Sequence, residues 1–158
     1  MHYKESKVAA KKIADYIRNH YHVRVRLVGS IRRKKAENAD VDLLIVAPED
    51  KFKQIYLPDS FREVERGGQR IRYFGHVKVD LFRTDADCLA FALLHHTGNK
   101  TYNIRVRAHA KAMGYKLNQY GLFHADGSKV GSAKKFKSER DVLKFLEVTY
   151  KTPSEREE

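Results

Sequence analysis

The feature that most narrows what this chain can become is the stretch Val28 to Val46, where Asp40 and Asp42 stand one residue apart at the head of an apolar run. In a strand, successive side chains point to opposite faces. Asp40 and Asp42 therefore project together while Val41, Leu43 and Ile45 turn to a core. Two carboxylates held side by side repel each other unless a cation sits between them. Hard oxygen donors with no cysteine or histidine in register suit Mg²⁺ or Mn²⁺. Just upstream, the apolar run ending at Val28 enters Gly29-Ser30, whose backbone N–H groups at a helix start offer a seat for phosphate. Arg32 and Arg33 add fixed positive charge beside it. The stretch reads as a metal-phosphate site on strand, turn, helix and strand.

The chain supplies two controls. Asp85-Ala86-Asp87 repeats the Asp-x-Asp spacing, but it opens an apolar helical pattern and reads as an N-terminal cap. Gly131-Ser132-Ala133-Lys134-Lys135 mimics Gly29-Ser30-Ile31-Arg32-Arg33, yet no apolar strand precedes it and no paired aspartates follow. Only Val28 to Val46 joins both halves.

At 158 residues and 42% apolar, the chain has material for one domain, or two small ones sharing a core. Its formal charge of +12 favours polyanion partners, nucleic acid first, although basic soluble proteins without such partners are common. No basic amphipathic helix with a bulky apolar face stands out, which disfavours membrane binding. The longest apolar runs fall short of the roughly 18 residues of a membrane span. Met1 to Lys7 lacks the apolar core of a secretory signal. The one cysteine, Cys88, lies in the apolar run to Leu94 and reads as a small buried hydrophobe. Without a second cysteine there is no disulfide within the chain, which fits a reducing intracellular setting, nucleus or cytoplasm.

Taken in order, Tyr3 to Tyr21 is predicted as an amphipathic helix with Val8, Ala9, Ile13, Tyr16 and Ile17 on its apolar stripe. Val23 to Val28 alternates as a strand with Arg24 and Arg26 on one side, and Asp40 to Ala47 is the second strand, ended by Pro48. Lys51 to Leu57 suggests a short helix. Phe61 to Arg66 and Gln69 to Phe74 form a hairpin across Gly67-Gly68. In the next strand, His76 to Phe82, Asp80 shares a face with Lys78 and Phe82. Two accounts are open for it: solubility at a sheet edge, or a third carboxylate beside Asp40 and Asp42 that helps hold two divalent ions and takes a proton from an attacking hydroxyl. Helices follow over Asp85 to His96 and Asn99 to Met113, with Asn103, Arg107 and Lys111 on one stripe and Arg105 and His109 on another. Gly114 caps the second helix, Tyr115 to Val130 suggests a small hairpin, and Ser138 to Leu146 is a helix with a capping box. Thr152 to Glu158 reads as a polar tail.

With these segments placed, the chain resembles the family X DNA polymerases, the DNA polymerase beta group. Three ordered segments carry the resemblance: Gly29-Ser30-x-Arg32-Arg33 followed by Asp40-Val-Asp42; Val77-Lys-Val-Asp80-Leu-Phe82; and Thr97-Gly98-Asn99 through Asn103 and Arg107 to Leu117-Asn-Gln-Tyr-Gly-Leu-Phe123, closing at Tyr150-x-x-Pro153-x-x-Arg156-Glu157. The resemblance implies an α+β fold: a nucleotidyltransferase palm with a mixed sheet over residues 1–94 and a small helical and hairpin thumb over residues 95–158. The form the resemblance implies is the compact one seen in virus-encoded members, expected without lyase or fingers regions. It implies that Asp40, Asp42 and Asp80 bind the metal ions, Asp80 activating the primer 3′-hydroxyl. Gly29, Ser30 and Arg33 would grip the triphosphate, Thr97-Gly98 would pack the sugar at a bend where the following peptide can be cis, and Asn103 and Arg107 would lie on the minor-groove edge of the nascent pair.

One departure is local. Much of the family has Tyr-Phe before Thr-Gly, and this chain has His95-His96. Either His95 contacts the incoming nucleotide, or the pair is a polar helix end. Basic groups at Lys4, Lys7, Lys11 and Lys12, at Lys111, and at Lys134, Lys135 and Lys137 would extend the DNA-holding surface, or are simply solvated. The expectation is a monomeric, Mg²⁺-dependent (or Mn²⁺-dependent) DNA polymerase filling short gaps, with gapped or nicked DNA and dNTPs as partners. Two other readings stay open: a small nucleotidyltransferase acting on RNA, a protein or a small molecule, and a non-catalytic nucleic-acid-binding protein.

Overall fold

The computed structural model describes residues 1–131 and 134–157. Helix α1, Tyr3–Tyr21, buries Ser6, Ala10, Ile13, Ala14 and Ile17, and ends at His22 in the left-handed region. Val8, placed on the apolar stripe by the sequence pattern, is 55% exposed. The true stripe is built on small residues, Ala10 and Ala14, which let the helix approach the sheet closely.

Strand β1, Arg24–Val28, runs through a one-turn helix, α2, Gly29–Arg32, and a loop into β2, Asp40–Val46. A single turn, α3 (Glu49–Phe52), follows Pro48 directly rather than starting at Lys51. The proline presets its own φ, and Glu49 and Asp50 suit the first turn. Strands β3, Arg62–Arg66, and β4, Arg70–Phe74, form the expected hairpin, with a register shift between Glu63 and Glu65. Strand β5, Lys78–Thr84, pairs parallel with β2 and antiparallel with β4, giving the sheet order β1-β2-β5-β4-β3. Asp80 therefore sits on the central strand, and the edge-solubility account of it is excluded.

One sheet face, with Val25, Val41, Leu43, Ile45, Ile71, Val79 and Leu81, makes a continuous core with α1. The other face carries the acids at its end, and beyond them Val28 and Leu44 are covered by Ala92 and Leu93 of α4, Leu89–Thr97. Helix α4 starts later than Asp85. The Asp85 carboxylate accepts from the Cys88 N–H at 2.9 Å and closes a turn ahead of it. Cys88 occupies the N-cap, half-buried with its thiol toward the Tyr120 carbonyl, so it is not a core hydrophobe.

After α4, Gly98 takes φ +68° and the Gly98–Asn99 peptide is cis. Helix α5, Lys100–Ala112, is capped by the Asn99 side chain, which accepts from the Tyr102 N–H at 2.9 Å. A second core gathers Ala90, Phe91 and Leu94 of α4, Tyr102, Val106 and Ala110 of α5, and Leu117 and Leu122 of the hairpin β6 (Tyr115–Asn118) and β7 (Gly121–His124). Val142 and Leu143 of α6, Glu139–Phe145, close it, the helix being fixed by the Ser138/Asp141 capping box. Helix α4 thus sends alternate faces into two packed bodies.

The closing segment is not a loose tail. Pro153–Arg156 forms a short 3-10 turn, and Arg156 has 0% of its surface exposed. The sequence reading failed here because the partner that makes burial of an arginine tolerable, Glu139, comes from another element. Glu158, with Ser132 and Ala133 of the Gly131 control, lies outside the described residues. Among the described residues no helix is long and apolar enough to cross a membrane.

Candidate active site

The site begins with strand register. Asp42 of β2 is the direct partner of Asp80 on parallel β5, and Asp40 lies two residues before it on the same side. Neighbouring strands are about 4.8 Å apart, so Asp42 and Asp80 share one level of the sheet. Burial, then the charges of Asp80 and Asp40, push the Asp42 carboxyl up to about 7. Asp40 Oδ1 is buried with no hydrogen-bond partner. Asp80, 7% exposed, is held from β4: Arg72 donates through Nε to Oδ1 at 2.9 Å and through Nη2 to Oδ2 at 3.3 Å, and Arg70 approaches Oδ1 at 3.4 Å.

Gly29 allows the turn to pass directly over Asp42. It has φ +65°, and a Cβ on it would fall 2.2 Å from Asp42 Oδ2. A cleft of about 560 Å³ opens above, with Gly29, Ser30, Arg33, Asp40 and Asp42 on one wall. His95, His96, Thr97, Gly98, Asn103 and Arg107 form the other wall. Ten of the residues picked from sequence thus meet in one cavity, with Asp80 joined to it through Asp42.

The two histidines are partly exposed on the cleft wall and differ in their surroundings. The His95 carbonyl accepts from Asn103 Nδ2 at 2.7 Å, and Arg107 Nη2 donates to His95 Nδ1. Burial, then the Arg107 charge, lower the His95 pKa, which keeps the ring neutral and able to accept. His96 stacks on Phe82 with ring centroids 4.3 Å apart, and burial, then His95, push it down to about 3. Both rings sit in the last turn of α4, tied to Arg107 and Phe82.

The two arginines of the Gly-Ser turn are tied to elements far along the chain. Arg32 donates to Thr97 Oγ1 at 2.6 Å and to Glu139 Oε1 at 2.5 Å, and Glu139 Oε2 accepts from Arg156 Nη1 at 2.7 Å. Although burial acts to raise it, Glu139 is held below the usual carboxylate range by these arginines, Arg32 foremost. Arg33 donates through Nη1 to the Thr97 carbonyl at 2.5 Å and through Nε to Glu157.

Other residues chosen from sequence lie elsewhere. Lys111 lines a second hollow, with Tyr115, Lys116 and Phe123. Lys4, Lys7 and Lys11 belong to α1, which packs on the sheet face opposite the acids. Lys134 and Lys135 are outside the cleft wall, Lys135 resting on the Phe145 ring at 4.5 Å. Sequence reasoning missed Lys35 and Lys100, both on the cleft wall, and Arg72 and Glu157. Lys35 and Lys100 adjoin motif residues and could have been found by proximity. Arg72 and Glu157 depend on pairings that sequence order does not reveal.

A family model described as the nucleotidyltransferase domain matches residues 10–107, and one described as the DNA polymerase beta thumb matches residues 92–157. The chain is 36% identical over 143 residues to the repair DNA polymerase X of African swine fever virus (isolate Pig/Kenya/KEN-50/1950), covering 84% of this chain and 80% of that protein. This chain belongs to the family X DNA polymerases. Another relative within the family is DNA polymerase lambda of Rattus norvegicus, 33% identical over 159 residues, which covers 82% of this chain and 28% of that one. In fold, this family X chain is similar to Leishmania infantum polymerase beta in a ternary gap complex, with a TM-score of 0.79, 18% identity, and coverage of 100% of this chain and 71% of that one.

Whether these residues suit the divalent ions used by the family can be tested on the side chains themselves. An all-oxygen donor set, an orphaned Asp40 Oδ1 and a strongly raised Asp42 all mark a place short of positive charge. As the side chains stand, Asp80 spends its oxygens on Arg72 and Arg70. Among the described residues no three His, Cys, Asp or Glu side chains form a ready cage. The donors fit; the third one is engaged by arginine.

Proposed function

We propose that this chain is a template-directed DNA polymerase that adds dNTPs to a primer 3′-hydroxyl in short gaps during repair. The observation that carries this reading is Asp42, set beneath Gly29 in a cleft that Asn103 and Arg107 also line, paired in register with Asp80 on the next strand. Residues 1–94 act as the palm and residues 95–158 as the thumb.

Asp40, Asp42 and Asp80 would hold Mg²⁺ or Mn²⁺, which supplies charge stabilisation for the attacking and leaving oxygens. Asp80, oriented by Arg72, accepts the proton of the 3′-hydroxyl. Ser30 and Arg33 bind the nucleotide phosphates by directed N–H and O–H bonds, and Gly29 lets the backbone come close. Asn103 and Arg107, fixed by His95, present their donors to the minor-groove edge, where acceptors are common to all correct pairs. Lys35 and Lys100 add cations at the rim for the DNA backbone. The likeness to a polymerase solved in a gap complex and the basic charge both support DNA as the acceptor. Its single cysteine also suits an intracellular setting.

The test is primer extension on a one-nucleotide-gapped duplex with dNTPs and Mg²⁺, run beside Asp80→Ala. Extension by the parent alone supports the reading. Equal binding without extension by either protein would make it a DNA-binding module instead, and transfer to another acceptor would favour the broader nucleotidyltransferase reading.

A further inference from the structure

Arg33 and Glu157 are separated by 124 positions, yet the Nε of one donates to the carboxylate of the other. Arg33 is on the cleft wall, whereas Glu157, which holds its Nε, is not. The Thr97 carbonyl takes one Nη1 proton at 2.5 Å, and Gly98 packs so near that a Cβ there would lie 3.2 Å from Arg33 Nη1. With Nε and one edge of Nη1 engaged, the Nη2 end of the fork is left for a ligand in the cleft. Glu157 is itself anchored, since it follows the wholly buried Arg156, which Glu139 and the Lys151 carbonyl hold.

We propose that Glu157 is a positioning residue for nucleotide binding: it fixes the Arg33 guanidinium so that its open edge points at the triphosphate. This rests on the reading of Arg33 as a phosphate ligand. An acid near a phosphate site could also act in the opposite sense, as a place-holder that the triphosphate must displace. Contact at Nε, by a residue off the cleft wall, with Nη2 not held by it, is what favours positioning. A free arginine side chain loses rotamer freedom when it binds, and pre-fixing it removes part of that cost from binding.

The experiment compares the parent with Glu157→Ala, Glu157→Ser and Glu157→Gln. The Glu157 side chain is 31% exposed, so truncation opens no buried hole, and thermal midpoints should stay together. Expected for Ala and Ser is a dNTP KM raised about tenfold with kcat within about twofold, the pattern of lost uniform binding. Gln keeps an acceptor oxygen and should restore most of the affinity. In an Arg33→Ala background, Glu157→Ala should add nothing further. dNTP Kd is also measured on gapped DNA with a dideoxy-terminated primer, which binds without reacting. An unchanged or lowered KM and Kd in Glu157→Ala overturns the proposal. A parent that binds dNTP but extends no primer overturns the polymerase reading instead, and the Kd series still decides on Glu157.

Discussion

Asp42 and Asp80 are register partners on parallel strands, and the arginine that pairs with Asp80, Arg72, comes from the strand on the other side. One carboxylate of the pair is thus compensated by the protein and the other is not. Asp42 carries the imbalance: its pKa rises from 3.8 to about 7, through burial first and then Asp80 and Asp40. Between those values the unfolded chain releases a proton that the folded chain retains, so stability falls as pH rises from about 4 and the loss is complete above about 7. In the absence of divalent ions, Asp42→Asn should therefore be more stable than the parent at pH 8, by roughly 1–3 kcal/mol, and no more stable near pH 4. Urea midpoints at the two pH values check this, and the same variant should not extend a primer.

His96 gives the opposite sign. Its folded pKa, pushed to about 3 by burial and then His95, lies below the ordinary 6.5, so the unfolded chain binds a proton that the folded chain refuses. The stability present above 6.5 is lost as pH falls toward 3. His96→Phe, which keeps a ring against Phe82, should abolish that part of the acid sensitivity. The parent's loss between pH 7 and 5 should exceed the variant's by about 1–2 kcal/mol in urea unfolding.

Gly29 has both a positive φ and no room for a methyl, with Asp42 Oδ2 2.2 Å from the site of any Cβ. Gly29→Ala must move either the turn or the carboxylate. The expected cost is about 1–3 kcal/mol of stability and at least about a tenfold loss of kcat/KM, read by thermal unfolding and single-nucleotide gap filling.

The salt dependence of DNA binding separates two sets of lysines. Lys35 and Lys100 line the cleft, whereas Lys4, Lys7 and Lys11 stand on the helix behind the sheet. Replacing Lys35 and Lys100 by Ala should flatten the slope of log K against log salt by about 0.9 for each phosphate no longer neutralised. The triple α1 variant should leave the slope unchanged. The reverse result would place the duplex on the α1 side.

Much of this was legible in the chain because the deciding interactions are local. The span of α1, the Ser138/Asp141 cap and the shared face of Asp40 and Asp42 all follow from periodicity and from neighbours within four residues. What escaped was set by pairing. Which strand flanks Asp80 decides whether it is an edge residue or an ion-paired core acid, and no local pattern encodes that Arg72 lies opposite it. Likewise Arg156 and Glu157 look solvated until Glu139 and Arg33 are brought to them through the fold.

The acids that hold Arg32 and Arg33 lie 107 and 124 positions further along the chain. On the ribosome, the Gly-Ser turn emerges with two unmatched cations, well before its counterweights are made. Sheet and α1 can assemble during that interval, but the proposed orienting contact on Arg33 forms only once Glu157 has emerged. A nascent chain stalled before Pro153 would carry Asp40, Asp42 and Asp80 without the acid that holds Arg33.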